Sequence, residues 1–428
     1  MSGSRPDSTD VSTPHSGRPT PADPVAGRSG GPSRRFVLGS LAATVSAAAA
    51  VPLLGAMPSA AAAPARRAAA PRSATRELVY FNTWKGTQIY GAWFDPGCGD
   101  LTPIGPVGDA NADWAVTHPT LPILYVATMA VGGVVDTFRI DPASGALTKT
   151  GELSTGGTGL NGGGVSYIGI DQPSNTLLAT NFEDGFTAAV PISRTGELAP
   201  PASLAQDTGS GPNPRQAGPH PHHAEVDPSG RFALVADFGA DRVFVYRFDR
   251  ETRTLSTGGP AGPYAYATAA GSGPRRVAFH PDGRTVYLLS ELSSDLQTLQ
   301  WNPASGELTQ RQTVALDGPD FTGAKSASDL AISADGRFVY AGNRGENSLM
   351  VFAVAPRTDL LSTLQSVPCG GTTPWGFTVH PSGRWLLVAN EASSTVNVFG
   401  IDQHSGRLTD TGTSLAVPNP DSITFFRP

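Results

Sequence analysis

The sequence predicts an all-β fold, a seven-bladed β-propeller whose first blade is closed by the C-terminal strand, and three observations predict it. Fifty glycines and 38 prolines stand beside only 39% hydrophobic residues, a composition of many turns and short strands. A unit of about 50 residues recurs along the chain, the period of propeller or solenoid repeats. Fragments of one further unit lie at the two ends of the repeat array, where pairing them would close a ring.

The clearest copies are in the second half. Val277-Ala278-Phe279-His280-Pro281-Asp282-Gly283-Arg284 leads into Val286-Tyr287-Leu288, Glu291, an alternating run to Trp301, and Ser305-Gly306-Glu307-Leu308. The order recurs at Leu330 to Leu361 and Phe377 to Leu408. Each unit reads as strand A, a Gly-containing turn, strand B, a polar corner, strand C, a second turn and strand D. Further copies begin near Ala224, Val165 and Trp114, which makes six. Leu78 to Asn82 and Gln88 to Phe94 supply the outer strands of a seventh, and Ser422 to Phe426 its innermost strand. A stack of two β-sandwiches is the alternative, and neither the regular spacing nor the divided unit fits it.

Residues 1 to 75 read as a targeting region and residues 76 to 428 as the propeller. The first 32 residues are rich in Ser, Pro, Gly and Asp and cannot bury enough apolar surface to fold. Ser33-Arg34-Arg35-Phe36-Val37-Leu38 then opens an Ala-rich apolar run that ends in small residues, the pattern of a twin-arginine export signal. An uncleaved anchor is the other reading, though an Ala-dominated stretch is a poor spanning helix. The expectation is an exported protein, extracellular, periplasmic or cell-wall associated, that meets the membrane only through this signal. Cys98 and Cys369 fall on non-adjacent blades and are expected to stay unpaired.

A net charge of −6, with lysine only at 85, 149 and 325, offers no basic face for a nucleic-acid backbone. The repeat register sorts the remaining polar residues. His118, His280 and His380 sit in A–B turns and read as structural. On the opposite face, the connections into strand A and out of strand B bring Pro219-His220-Pro221-His222-His223, Gly273-Pro274-Arg275-Arg276, Glu291 and Asn343-Arg344 to one mouth of the channel. In an extended segment His220 and His222 project to one side. Two guanidiniums and an imidazole can hold an anion or an oxyanion, and Glu291 and His222 can exchange protons. An Arg275–Glu291 ion pair that ties two corners together is the structural alternative. The three neighbouring histidines could share a metal, but no Cys, Asp or Glu stands near them at ligand spacing, so no metal or cofactor is expected. No nucleophile elbow, phosphate loop or dinucleotide fingerprint occurs in the required context.

These segments, with Asp227-Pro228-Ser229-Gly230, Asp237-Phe238-Gly239-Ala240-Asp241-Arg242 and Ala389-Asn390-Glu391, resemble the lactonase family of seven-bladed propellers from about residue 164 to 428. That family includes 6-phosphogluconolactonases and a fungal muconate cycloisomerase, and its members need no metal. The resemblance implies catalytic roles for His222, Arg275, Glu291 and Arg344, with His220, Asn343 and Trp375 beside them as substrate-binding residues. It implies action on a small lactone or sugar-like ligand, by ring opening or, in the isomerase direction, ring closure, and the protein is expected to be a monomer. A non-catalytic propeller that binds sugar, cell wall or protein is the competing class. Two departures stand out: Arg276 occupies a position where the family often has His, and Pro374-Trp375 stands where it commonly has Pro-Arg. The second removes a positive charge and adds an aromatic face, which favours a flatter, less charged ring.

Overall fold

The computed structural model describes residues 76–158, 164–257 and 264–427. The proposed export signal lies outside these residues, and among the described residues no helix is long and apolar enough to cross a membrane. The described chain forms seven antiparallel sheets, six of four strands and one of five. Their innermost strands are Pro420–Phe426, Ala112–Thr117, Val165–Asp171, Pro221–Val226, Pro274–Phe279, Ala327–Ile332 and Pro374–Val379, blades 1 to 7 in order. Each packs beside the next and the last returns to the first, so the seven strands ring a central channel.

Closure is by the divided blade. The C-terminal strand Pro420–Phe426 pairs antiparallel with Glu77–Thr83, which continues outward to Gln88–Asp95 and Asp100–Asp109. A hydrophobic core lies between each adjacent pair of blades. At the closing junction Val79, Phe81, Phe94 and Ile423 of blade 1 pack against Leu387, Ala389, Val396 and Val398 of blade 7. In blade 4 the outermost position is shared by two short strands, Thr254–Ser256 and Tyr264–Ala267, both paired with Arg242–Asp249.

A repeated polar clamp supplements these cores. Tyr80, Tyr125, Tyr287 and Tyr340 occupy equivalent places on the second strands of blades 1, 2, 5 and 6. Each donates its hydroxyl to the carbonyl of a C–D turn in the following blade, at Gly145, Gly196, Asp359 and Gly406, at 2.7 to 3.2 Å. All four acceptor residues have positive φ, and at Gly406 a Cβ would also run into the ring of Phe338, so glycine is required there. One buried bond of this kind contributes about 1 kcal/mol, repeated around the ring. The turn histidines are structural as expected. His118 Nδ1 accepts from the backbone of Thr120 and Leu121, and His380 bonds Ser382 and Glu77. Both cysteines are free, Cys98 exposed and Cys369 buried.

Strand A carries one further regularity. Near its start, each strand holds one residue more than its partner, a β-bulge that turns the extra side chain out of the alternating pattern. The residues carried there are Asp113 in blade 2, Ser166 in blade 3, His222 in blade 4, Arg275 in blade 5 and Trp375 in blade 7. In blade 6 the segment holds Ser328 and Asp329, and in blade 1 Asp421 and Ser422.

Candidate active site

The bulges furnish the wall of a pocket at one mouth of the channel. Asp113, Ser166, His222, Arg275 and Trp375 all line it, joined by Glu291, Arg344, Arg215, Arg276 and the aromatic side chains of Trp84, Trp114 and Phe182. Its empty space, with the solvent-open entrance, is about 790 Å³, the scale of a small-molecule site.

Glu291 is the electrostatic centre. It follows strand B of blade 5, and its backbone is tied on both sides, N–H to Gly273 and carbonyl from the N–H of Ala327. The side chain is 2% exposed and takes three guanidiniums: Arg215 on Oε1 and both Arg275 and Arg344 on Oε2, each at 2.8 Å. Burial alone would raise its pKa, but Arg344, Arg275 and Arg215 outweigh that and hold it at about 2. Glu291 is therefore a fixed anion that sets the arginines rather than a base near neutral pH. For Arg275, burial and the neighbouring Arg344 lower the guanidinium to about 9 against the pull of Glu291, which leaves it cationic.

His222 lies against Arg275, whose Nη1 contacts its Nε2. A guanidinium can only donate, so Nε2 is the accepting nitrogen and the proton belongs on Nδ1, which is buried without a hydrogen-bond partner among the described residues. Burial, then Arg275 and Arg276, press its pKa well below the ordinary value, so the ring is neutral. Arg344 is fixed by its own backbone bond to Ser326 and by donation to the Ala327 carbonyl. Its guanidinium lies 4.6 Å from the ring of Trp375, which in turn meets Trp84 at 4.9 Å, so two indoles and a cation form one side of the pocket.

The floor is a second layer one residue along each strand A. Arg276 lies 4.1 Å over Trp114 and 4.8 Å over Tyr167, and its Nε faces Asp329 Oδ1 at 2.9 Å. His223 packs on Tyr167 with ring centroids 4.2 Å apart.

Of the residues read from the sequence, His222, Arg275, Glu291, Arg344 and Trp375 converge, while two do not reach the pocket wall. His220 stacks on Phe182 and its Nδ1 bonds the Phe182 carbonyl at 2.7 Å. The bulge at His222 breaks the alternation that would have aimed His220 and His222 together. Asn343 is fully buried and bonds Asp317, of the connection into blade 6, and Glu346 of its own corner. The three neighbouring histidines face Phe182, Arg275 and Tyr167 respectively, not one point.

Sequence reasoning missed Arg215, Asp113, Ser166 and, of the aromatic wall, Trp84, Trp114 and Phe182. Asp113 and Ser166 were legible in principle, because they share the repeat position of His222 and Arg275. Arg215 was not. It rides on a single 3₁₀ turn, Pro214–Gln216, in the long connection into blade 4, outside any repeat register. Asn213 caps that turn and Gln216 pins it through the Phe238 carbonyl and Asp241, both at 2.7 Å.

Comparison with known proteins agrees with this architecture. The family described as "Lactonase, 7-bladed beta-propeller" matches residues 79–425. A 6-phosphogluconolactonase of Bacillus subtilis is 32% identical over 317 residues, 74% of this chain and 87% of that protein. Among solved structures, a periplasmic gluconolactonase of Pseudomonas aeruginosa superposes with a TM-score of 0.75 at 30% identity, over 82% of this chain and 99% of that one. A Bacteroides fragilis protein described as a putative 6-phosphogluconolactonase gives a TM-score of 0.72 at 25% identity, over 83% and 99%. The chain belongs to the seven-bladed lactonase family.

Proposed function

We propose that this member of the family is an exported hydrolase that opens an unphosphorylated sugar lactone or a similarly flat, weakly charged one. The observation that carries the reading is the buried Glu291 with its three guanidiniums beside the Trp84–Trp375 wall. Arg275 and Arg344 line the pocket, fixed by Glu291 and by the Ser328 and Ala327 carbonyls, where their guanidiniums can stabilise the oxyanion that forms when water adds to a lactone carbonyl. Such preorganised donors cost no rearrangement during reaction and contribute about 3 kcal/mol apiece in comparable sites. The indoles offer an apolar face for a ring.

The charge balance supports an unphosphorylated substrate. Glu291 already accepts from Arg215, Arg275 and Arg344, and Arg276 is engaged by Asp329. A phosphate dianion would find no guanidinium without a carboxylate partner. Trp375 stands where the family commonly places the Arg of a Pro-Arg pair, which points the same way. Export is supported by the Arg34-Arg35 signal and by the periplasmic relative. His222, neutral, accepts from Arg275 and orients it; His220 and Asn343 act by supporting the mouth.

Initial rates on glucono-1,5-lactone and its 6-phosphate, corrected for spontaneous opening, test the reading. The expected result is a kcat/KM at least tenfold higher for the unphosphorylated lactone. Binding of either lactone without turnover would overturn it in favour of a binding module.

A further inference from the structure

Opening a lactone requires a group that takes a proton from water and later returns it, and neither sequence-derived candidate is free to do so. Glu291 spends both oxygens on guanidiniums. His222 has its accepting nitrogen against Arg275. Two other carboxylates line the pocket, Asp113 and Glu183. Glu183 stands on the corner after strand B of blade 3, at the rim, whereas Asp113 is the bulge residue of blade 2, in the same register as His222 and Arg275.

Asp113 has an unusual neighbour. The innermost strand of blade 1 packs beside its own, with Ser422 Oγ donating to the Asp113 carbonyl at 3.1 Å and Thr424 Oγ1 to the Ala115 carbonyl at 2.8 Å. At the matching bulge stands Asp421, 0% exposed, with no well-formed hydrogen bond to either carboxylate oxygen and only weak contact with the Ser422 hydroxyl and backbone N–H groups. A buried carboxylate without a firm donor is not stable as an isolated anion, so it carries a proton or shares one with its neighbour. From blade 5, Arg275 and Arg276 face Asp113, and from blade 4 the neutral His222 lines the same pocket.

We propose that Asp113, paired with Asp421 of the adjoining blade, is the residue that moves protons in this pocket, with Asp421 as its positioning partner. The proposal rests on the lactonase reading and deepens it. Water bonds to the lactone carbonyl carbon as one of its protons passes to the Asp113 carboxylate, and Arg275 and Arg344 hold the oxyanion. The acyl–oxygen bond then breaks with its electron pair on the ring oxygen, which takes the proton back from Asp113. Lactone and water become the hydroxy acid, and Asp113 ends as it began.

Burial pushes Asp113 up, against Arg275 and Arg276, to about 7, and raises Asp421 well above the carboxylate range with Asp113 adding to it. The base form of Asp113 is thus gained as pH rises through neutrality.

The test combines infrared titration of the resting protein with pH–rate profiles. The wild type is expected to lose a protonated-carboxyl band with a midpoint near pH 7, a change missing in Asp113→Asn, and to show kcat rising through the same midpoint. Asp113→Asn is expected to lower kcat at least 100-fold with KM within threefold of wild type, and Asp113→Glu to recover part of the loss. Asp421→Asn should move the midpoint to lower pH while keeping most of the plateau rate. A wild-type rate in Asp113→Asn, or a carboxyl band that does not titrate, would overturn the proposal. If no lactone is turned over, the functional reading fails by itself, and the infrared titration still decides whether the pair holds the proton.

Discussion

Replacing Glu291 by glutamine isolates the electrostatic centre of the pocket. The amide has nearly the carboxylate's shape, so packing is kept, but a charge shared by Arg215, Arg275 and Arg344 at 2.8 Å is lost. Arg275 and Arg344 are then left buried against each other with nothing between them. A carboxyl moved from its ordinary 4.5 to about 2 is favoured as an anion by about 3 kcal/mol, at about 1.4 kcal/mol for each tenfold change in acidity. Breaking a buried ion pair by removing one partner costs about 3–5 kcal/mol, which agrees. For a propeller of about 350 residues the unfolding entropy is about 0.7 kcal/mol/K, so the expected fall in Tm at pH 7 is about 4 °C.

Calorimetry across pH supplies the sign. The folded-state pKa is depressed, so the stabilisation is complete above about pH 4.5 and is lost as pH falls toward about 2. The Tm gap between wild type and Glu291→Gln should therefore narrow over that window. Lactone opening should fall about 100-fold at pH 7, because the guanidiniums lose the anion that aims them. A variant with wild-type Tm at pH 7, or a gap that widens on acidification, would refute this reasoning.

Two further outcomes follow. Deleting residues 420–428 removes the strand that closes the ring, with Ile423 and Phe426 from two inter-blade cores. At about 1.5–3 kcal/mol for each large side chain those two give about 3–6 kcal/mol, and the strand's backbone pairing and the ring closure are lost with them, so circular dichroism should show no cooperative transition in the truncated chain. Changing Arg34 and Arg35 to lysine should retain the protein in the cytoplasm of its host, read by immunoblot of cell fractions; undiminished export would remove the twin-arginine assignment.

The fold was readable because a propeller repeats its physics. Most turns that need a positive φ leave a Gly or an Asx residue in the sequence, and each blade repeats the order of apolar runs, so even the split blade showed at the two ends. The site was readable as far as register alone could carry it, which brought His222, Arg275, Glu291 and Arg344 to one mouth, and the family resemblance added Trp375. The failures have identifiable causes. A bulge adds one residue without a compositional mark, so simple alternation placed His220 beside His222 when the backbone turns it to Phe182. The number of arginines on Glu291 depended on Arg215, whose 3₁₀ turn lies outside the repeat, so a residue read as a base is an anchor. Asp113 and Asp421 lie more than 300 residues apart and meet only because the chain's last strand closes its first blade.

The most direct measurement of the account is proton release on adding glucono-1,5-lactone to the wild type and to Arg344→Lys, followed in a pH-stat against the spontaneous rate. Lysine keeps the charge near Glu291 but cannot reproduce the planar, multidentate donation of a guanidinium. The account predicts rapid opening by the wild type and a kcat/KM about 100-fold lower in the variant, with Tm changed by less than about 2 °C. Equal rates in the two proteins, or a wild-type rate no faster than the spontaneous one, would contradict it.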